Sequence, residues 1–250
     1  MLALITGASS GLGRDFARQL SAKGYDIIAV AQDLEKLNTL KGELKTNVQV
    51  ISKDLSIREN VVELYNLVKE QDIDIVINNA GFGVFGSFVD TNLDKELNMI
   101  DVNVCAVHIL TKLFLQDFKK KNKGYILNVA SSAAFEPGPL MASYYASKAY
   151  VLRLTQAIAE ELRRSKSSVY VGALCPGPVE TNFNNVAGVR FTLKSLKSKD
   201  VVSYAIKKMF KRKLVIVPGV IMKMTRLTTK ILPEKLITRI AYNIQKSKKK

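Results

Sequence analysis

The stretch Leu2-Ala-Leu-Ile-Thr6-Gly-Ala-Ser-Ser-Gly-Leu-Gly13 decides the fold of this chain of 250 residues. Its first part is an apolar run typical of a buried strand, and a helical pattern continues from the glycines to about Lys23. The glycines between them, Gly7, Gly11 and Gly13, allow a tight turn and close approach of a ligand to the backbone. Free N–H groups at the start of a helix favour an anion such as a pyrophosphate. We therefore predict a strand, a phosphate-binding turn and a helix; a glycine-rich turn without a ligand is the alternative.

Strands and helices alternate through the rest of the chain. Strand-like runs occur at 26–31, 48–52, 74–78, 124–130, 169–175 and 214–217, with helical patterns between most of them. Asp33 is predicted to cap the second helix, and Ser56-Ile-Arg-Glu59 to open the third as a capping box. This alternation predicts an α/β fold, namely a doubly wound parallel sheet of Rossmann type with about seven strands and helices on both faces.

The net charge of +16 is concentrated towards the C-terminal end. Residues 1–190 carry 21 basic and 20 acidic side chains, whereas residues 191–250 carry 17 basic and 2 acidic ones. We predict one domain over residues 1–250, in which 182–200 forms a substrate lid and 214–250 a basic C-terminal extension. A solvated surface is the first interpretation of this extension, with an anionic membrane surface or an acidic partner as alternatives. No nucleic-acid recognition motif accompanies the charge.

Composition excludes several classes of protein. With a single histidine and two cysteines inside apolar runs, we expect no metal site and no disulfide. Because no run of eighteen uncharged apolar residues occurs, we expect no spanning helix. The expected setting is cytoplasmic, with peripheral contact to a membrane as the alternative.

A tyrosine stands four residues before a lysine at four places in the chain. The pairs are Tyr65/Lys69, Tyr144/Lys148, Tyr204/Lys208 and Tyr242/Lys246. This spacing puts both side chains on one face of a helix, so amphipathic helices produce it readily. A serine thirteen residues upstream does not discriminate, because Ser52 precedes Tyr65 as Ser131 precedes Tyr144. Only the position of each pair in the fold distinguishes them.

The expected topology selects one of these pairs. In a doubly wound sheet a dinucleotide straddles the switch point between strands one and four, with its adenosine over strands one to three. Ser52 ends strand three, on the adenosine side, whereas Ser131 ends strand five and Tyr144 opens the following helix. We predict Tyr144 as the acid, Lys148 as the group that lowers its pKa, and Ser131 as the hydrogen-bond partner of a carbonyl oxygen. Asn103 is predicted to anchor a water that relays protons to Lys148.

These residues resemble the motifs of the short-chain dehydrogenase/reductase family. The matching pieces extend over about residues 1–181 and include Asn78-Asn79-Ala80-Gly81 and Cys175-Pro-Gly-Pro-Val-Glu-Thr181. The resemblance implies an NAD(P) cofactor and a catalytic set of Asn103, Ser131, Tyr144 and Lys148. The predicted cofactor contacts are Gly7, Ser9, Ser10, Gly11, Leu12, Gly13, Gln32, Asp54, Leu55, Asn79, Ala80, Gly81, Tyr144, Lys148, Pro176, Gly177 and Thr181.

The choice between NADP and NAD depends on the end of strand two. NAD-preferring members of the family resemble one another in an acid at this position, which here is Ala31. NADP-preferring members usually carry Arg or Lys next to it or before the second motif glycine, and here these positions are Gln32 and Ser10. We favour NADP, because Ala31 does not repel a 2′-phosphate, and keep NAD as the alternative.

Apolar side chains at 82–88, 136–141 and after Thr181 predict an apolar substrate pocket. Its expected walls are Phe82, Phe85, Phe88, Leu140, Met141 and Phe183. The predicted reaction is NADPH-dependent reduction of an apolar ketone, aldehyde or 3-oxoacyl-type substrate. A non-catalytic dinucleotide-binding or sensing protein on the same fold is the alternative. The resemblance further suggests a homodimer or homotetramer.

Overall fold

A computed structural model of the protein describes residues 1–181, 183 and 195–247. Its main sheet has seven strands in the order β3-β2-β1-β4-β5-β6-β9, all paired in parallel. The strands of this sheet are β1 (Leu2–Thr6), β2 (Asp26–Ala31), β3 (Val48–Ser52), β4 (Ile73–Asn78), β5 (Tyr125–Val129), β6 (Tyr170–Leu174) and β9 (Val215–Ile216). A separate short pair is formed by β7 (Val179–Glu180) and β8 (Leu196–Lys197).

Helices connect these strands. They are α1 (Gly11–Ser21), α2 (Leu34–Glu43), α3 (Arg58–Val68), α4 (Leu93–Ile100), α5 (Val107–Lys121), α6 (Ala142–Arg164), α7 (Ser198–Phe210), α8 (Val220–Thr228) and α9 (Glu234–Lys246). A π-helical segment, Asp101–Ala106, joins α4 to α5 without a break, and a 3₁₀ turn, Ser132–Phe135, precedes α6.

Alternate residues of each central strand enter two different cores. Ala3 and Ile5 of β1 pack with the buried faces of α1, α2 and α7, whereas Leu4 packs on the other side with α3 and α5. This alternation follows from the two-residue period of a strand, and it buries both faces of the sheet. The predicted fold class, a doubly wound parallel sheet with helices on both faces, is confirmed.

The switch point of the sheet lies between β1 and β4, as the sequence predicted. β1 pairs with β2 on one side and with β4 on the other, so the connections leaving β1 and β4 diverge to opposite faces of the sheet. A crevice forms at the carboxyl ends of strands at such a point. The loops after β1, β4, β5 and β6 meet there and build the site.

The predictions for the two helix starts had different outcomes. Asp33 caps α2 as predicted, since its side chain accepts a hydrogen bond from the backbone N–H of Lys36 at 3.0 Å. The predicted capping box at Ser56 is wrong. The helix begins at Arg58, and the hydroxyl of Ser56 instead donates to the carboxylate of Asp54 at 2.7 Å. The carboxylate of Asp54 therefore binds the Ser56 hydroxyl that was predicted to cap the helix.

By length and composition alone, one helical stretch of the described residues could cross a membrane. Residues Leu93–Lys121 form a continuous helix with a mean hydropathy of 1.3 over its most apolar window. The sequence predicted no such helix, because charged residues interrupt this stretch and it contains no run of eighteen uncharged apolar residues. Leu110, Phe114 and Phe118 of this stretch are buried against the sheet. These side chains therefore belong to the core, and burial inside the protein explains their part of the hydropathy.

The predicted division of the chain stays a prediction. Most of the proposed lid, 182–200, lies outside the described residues. The proposed basic extension, 214–250, contributes β9 to the edge of the main sheet before it forms α8 and α9.

Candidate active site

A cavity of about 360 Å³ opens at the carboxyl ends of the central strands. Its walls come from the turn after β1, the loop after β4, the end of β5, the first turns of α6 and the loop after β6. These are the elements that the topology brings to the switch point, so residues far apart in the chain meet around one space.

The glycine-rich turn is fixed to the end of β4 by a network around Thr6. Its hydroxyl oxygen accepts hydrogen bonds from the backbone N–H groups of Asn79 and Ala80, each at 3.0 Å. In return, the side-chain amide of Asn79 donates to the carbonyl of Thr6 at 2.9 Å. The turn and the Asn79 loop are therefore held as one rigid edge of the cavity.

Backbone packing in the turn explains why glycine stands at two of its positions. Gly7 has a φ of 65°, in the left-handed region that favours glycine. At Gly13, a Cβ would lie 2.1 Å from the carbonyl oxygen of Gly7, so a side chain there has no room. The resulting close turn leaves the first N–H groups of α1 facing the cavity edge formed by Ser9, Ser10 and Gly11. Residues of this kind fit the pyrophosphate of a dinucleotide.

Ser131, Tyr144 and Lys148 meet at the centre of the cavity. Tyr144 lies in the first turn of α6, one helical turn before Lys148, whose Nζ is 5.9 Å from the centre of the tyrosine ring. The ammonium group of Lys148 donates to the carbonyl of Val129 at 3.0 Å, which ties it to the end of β5. Ser131 follows that strand and opens the 3₁₀ turn.

Burial shifts the pKa values of both members of the pair. It raises the pKa of the Tyr144 phenol to about 12, while a hydrogen bond with the Ser131 side chain acts in the opposite direction. Burial also lowers the pKa of Lys148 to about 8, because the charged form is poorly solvated there. At neutral pH the phenol therefore keeps its proton, and most of the lysine still carries its charge.

Asn103 lies behind the cavity wall, in the π-helical segment, and is fully buried. Its side chain clamps the backbone of Phe82, accepting from the N–H at 3.1 Å and donating to the carbonyl at 2.9 Å. A Cβ on Gly81 would lie 2.6 Å from Asn103 Oδ1 and 3.2 Å from Lys148 Nζ. At Gly81 the loop after β4 thus packs closely against both Asn103 and Lys148. The water relay predicted for Asn103 stays a prediction.

The other three tyrosine–lysine pairs lie elsewhere. Tyr65 donates a hydrogen bond to Asp117 at 2.6 Å and packs on Phe114, within the layer formed by α3 and α5. The Tyr204 ring lies beneath the ammonium groups of Lys208 and Lys223. Tyr242 is 42% exposed on α9. Tyr144 is the member of the four pairs that the fold brings beside Ser131.

Most of the predicted site residues share this cavity. Its walls include Gly7, Ser9, Ser10, Gly11, Leu12, Asn79, Ala80, Gly81, Ser131, Tyr144, Lys148, Pro176, Gly177 and Thr181. Gly13, Gln32, Asp54, Leu55 and Asn103 do not line it. Gln32 and Asp54 follow β2 and β3, so they lie further along the same sheet edge, where an extended ligand would continue.

The end of the cavity beyond Tyr144 is apolar. Phe82, Met141 and Phe183 line it, and the rings of Tyr144 and Phe183 are 5.4 Å apart. Three expected wall residues are absent from it, among them Phe85, which packs against the buried cluster that contains Met141 and Tyr144. Phe88 is 66% exposed outside the cavity, and Leu140 also does not line it. In a loop, an apolar residue type does not determine the direction of the side chain, and here the backbone directs Phe88 outwards.

Four cavity residues come from α8 and α9, which the sequence analysis did not connect with the site. They are Met222, Thr225, Ile244 and Gln245. A Cβ on Gly177 would lie 2.6 Å from Met222, so α8 packs directly on the loop after β6. The spacing of Ile237, Ala241 and Gln245 in α9 is a signal that this helix buries one face. That signal does not say what the face packs on.

Comparisons with known proteins agree with this architecture. A family model described as short chain dehydrogenase matches residues 1–189. An uncharacterized oxidoreductase of Staphylococcus epidermidis is 34% identical over 209 residues, which cover 82% of this chain and 90% of that protein.

Two solved structures are similar as well. A short-chain dehydrogenase from Sphingobium yanoikuyae in complex with NADPH has a TM-score of 0.82 at 28% identity and covers 93% of this chain and 96% of its own. A short-chain dehydrogenase/reductase from Burkholderia phymatum in complex with NAD has a TM-score of 0.82 at 25% identity, with 92% of each chain covered. The chain belongs to the short-chain dehydrogenase/reductase family and is an oxidoreductase that acts on CH–OH donors.

Proposed function

We propose that this enzyme uses NADPH to reduce an apolar ketone, aldehyde or 3-oxoacyl-type carbonyl, with Tyr144 as the proton donor. One observation carries the proposal: Ser131, Tyr144 and Lys148 converge in a cavity that is bordered on one side by the glycine-rich turn and is apolar at its far end. When bound, the nicotinamide supplies the hydride. The side chains of the protein would bind the cofactor, orient the carbonyl group and supply the proton.

The cofactor would lie along the edge formed by the turn after β1 and the loop after β4. N–H groups at the start of α1 would hold the pyrophosphate, and Asn79 and Gly81 would border the ribose. Two observations support this role: Asn79 and Gly81 line the cavity, and Gly81 lies close to Asn103 and Lys148. Pro176, Gly177 and Thr181 would border the nicotinamide from the opposite wall.

Proton transfer would proceed from the phenol of Tyr144 to the carbonyl oxygen. Because burial raises its pKa to about 12, the phenol enters the reaction protonated. Ser131 would hold the carbonyl oxygen by a hydrogen bond and keep it near the phenol. The ammonium of Lys148 would stabilise the phenolate left after transfer. Asn103 would position the loop at Phe82 and, through a water, connect Lys148 to solvent.

The preference for NADPH is supported by the environment of Asp33. This is the carboxylate nearest in sequence to Ala31, and it caps α2 while pairing with the ammonium of Lys36. The hydrogen bond from Lys36 lowers the pKa of Asp33 and compensates its charge. Ala31 itself carries no charge. The end of β2 therefore presents no uncompensated carboxylate to a 2′-phosphate.

The proposal is tested with a panel of apolar ketones, aldehydes and 3-oxoacyl thioesters, assayed with NADPH and NADH. Tyr144→Phe is expected to lower kcat by about 10² to 10⁴-fold while cofactor binding is kept. Tyr65→Phe is the matched control. Tyr65 also precedes a lysine by four residues, but it lies outside the cavity, so the kcat of this variant should equal that of the wild type.

The competing function is non-catalytic dinucleotide binding or sensing. It would be favoured if the wild type turned over no member of the panel while wild type and Tyr144→Phe bound the cofactor equally. Assembly as a homodimer or homotetramer remains a proposal from the family, and sedimentation would measure it.

A further inference from the structure

The outward side of α8 is more apolar than its inward side. Val220, Ile221, Met224 and Leu227 are each between 61% and 70% exposed. Met222 and Thr225, on the opposite side, line the cavity. A surface helix normally turns its apolar stripe towards the core, so this helix is reversed relative to the ordinary pattern. The reversal leaves an apolar surface that none of the described residues covers, and exposed apolar surfaces of this kind mark contact sites.

The apolar surface continues through the following turn into α9. Ile231 in the turn is 72% exposed. In α9, Leu236, Ile240 and Ile244 recur at a spacing of four and each remain more than 40% exposed. Ile237, Ala241 and Gln245 occupy the buried side of the same helix. We call the outward sides of α8, the turn and α9 the C-terminal apolar face.

Positive charge surrounds this face. Residues 220–247 contain six cationic side chains and one carboxylate, that of Glu234. The sequence continues with three more lysines at 248–250. Within the part of the chain that the structure describes, none of these six cations forms a salt bridge. Lys223 and Arg226 lie over the rings of Tyr204 and Phe135, which leave their charges uncompensated, so this end of the described chain carries net positive charge towards an external anionic surface.

A second copy of the chain is a poor occupant of such a face. A symmetric contact through the C-terminal apolar face would bring the two sets of cations close to each other, and like charges at an interface oppose association. An anionic bilayer instead offers an apolar interior for the exposed side chains and phosphate groups for the surrounding lysines and arginines.

We propose that α8 and α9 bind the protein to the surface of an anionic lipid bilayer, with the C-terminal apolar face inserted at the boundary between headgroups and acyl chains. The same two helices line the cavity through Met222, Thr225, Ile244 and Gln245. Binding would thus bring the cavity close to the lipid. An apolar carbonyl substrate dissolved in the bilayer would then reach Tyr144 with little exposure to water, a consequence that rests on the proposed function.

Flotation with lipid vesicles tests the proposal on the full-length protein. One set of vesicles contains only phosphatidylcholine, and in the other about a third of the lipid is phosphatidylglycerol. The wild type is expected to bind the anionic vesicles at least about tenfold more tightly than the neutral ones. The variant Met224→Glu/Leu227→Glu should lose at least about tenfold in binding, since it places two carboxylates on the inserted surface.

The matched control is Leu67→Glu/Val89→Glu, which changes two exposed apolar residues away from this face. It should bind vesicles like the wild type. Neither member of the Met224/Leu227 pair lines the cavity, so turnover of a water-soluble substrate should be unchanged and would show that this variant is folded.

Three results would overturn the proposal. In the first, the wild type does not float with anionic vesicles. In the second, the Met224→Glu/Leu227→Glu variant binds vesicles as tightly as the wild type. In the third, the wild type is an oligomer that does not bind vesicles, and the variant is a monomer. The last result would assign the face to a second copy. Because flotation needs no turnover, failure of the proposed reaction would leave this test unaffected.

Discussion

The side-chain amide of Gln245 donates a hydrogen bond to the hydroxyl of Tyr145, which joins the last helix to the first turn of α6 at the wall of the cavity. One hundred residues separate the two in sequence. Gln245 is almost completely buried, and its Oε1 has no hydrogen-bond partner among the residues that the structure describes. Tyr145 is the neighbour of Tyr144, so this contact ties the C-terminal helix to the residue beside the proposed proton donor.

We predict that the two residues are energetically coupled. Tyr145→Phe and Gln245→Leu should each lower the free energy of unfolding by about 1–3 kcal/mol, because each leaves a buried polar group unpaired. The double variant should lose clearly less than the sum of the two, since both polar groups are then removed. Urea unfolding of the four proteins measures the coupling. Tyr242→Phe, at an exposed position of the same helix, should leave the free energy of unfolding unchanged. If the effects of the two single variants simply add in the double variant, the contact contributes no stability and the prediction is wrong.

The packing of the phosphate turn predicts opposite effects at two glycines. Gly13→Ala should destabilise the protein by about 3 kcal/mol, because the added Cβ would clash with backbone atoms, which cannot move aside as a side chain could. A Cβ there would lie 2.1 Å from the Gly7 carbonyl oxygen, whereas a Cβ on Gly42 in α2 meets nothing within 4 Å. Gly42→Ala should therefore stabilise by up to about 1 kcal/mol. Thermal unfolding of both variants checks the contrast, and equal melting temperatures would refute it.

Cofactor preference should respond to charge at the end of β2. In the wild type we expect kcat/KM to be higher with NADPH than with NADH. Ala31→Asp places a carboxylate where a 2′-phosphate would lie, so it should invert the ratio by lowering the NADPH value by about tenfold or more. Ala31→Ser, which adds a polar group without charge, should keep the wild-type order. A wild type that prefers NADH would rule out the proposed preference.

Burial of Lys148 should make stability depend on pH in the absence of cofactor. Between about pH 8 and pH 10.5 the unfolded chain holds this proton while the folded protein has released it. The unfolded state then binds more protons, so the contribution of Lys148 to stability improves as the pH rises through this window. Below about pH 8 the buried charge is retained in the fold and destabilises it.

Lys148→Met should consequently be more stable than the wild type at pH 7, by up to about 3 kcal/mol for a pKa lowered from 10.5 to about 8. The difference should shrink as the pH approaches 10.5. Lys69→Met, at the exposed lysine of the Tyr65 pair, is the control and should show no such trend. A Lys148→Met variant less stable than the wild type at every pH would indicate that burial is not the dominant effect.

Local sequence patterns were sufficient for the sheet and for the central residues of the candidate site. The run Leu2–Thr6 and the glycines after it predicted β1, the turn and α1, because strand period, glycine conformation and helix start are properties of adjacent residues. The order of the strands then selected Tyr144 from four equivalent spacings. Position relative to the switch point follows from topology, so no side-chain coordinates were needed for that choice.

The sequence by itself determined the fold class, the phosphate turn and the candidate Ser131, Tyr144 and Lys148. Only the tertiary structure decided that Ser56 is held by Asp54, that Phe88 points away from the cavity, and that α8 and α9 form part of its wall. The reason is the range of the interactions involved. Periodicity and turn chemistry depend on neighbouring residues. The contact of Gln245 with Tyr145 instead depends on how α9 packs against α6, which is distant in sequence.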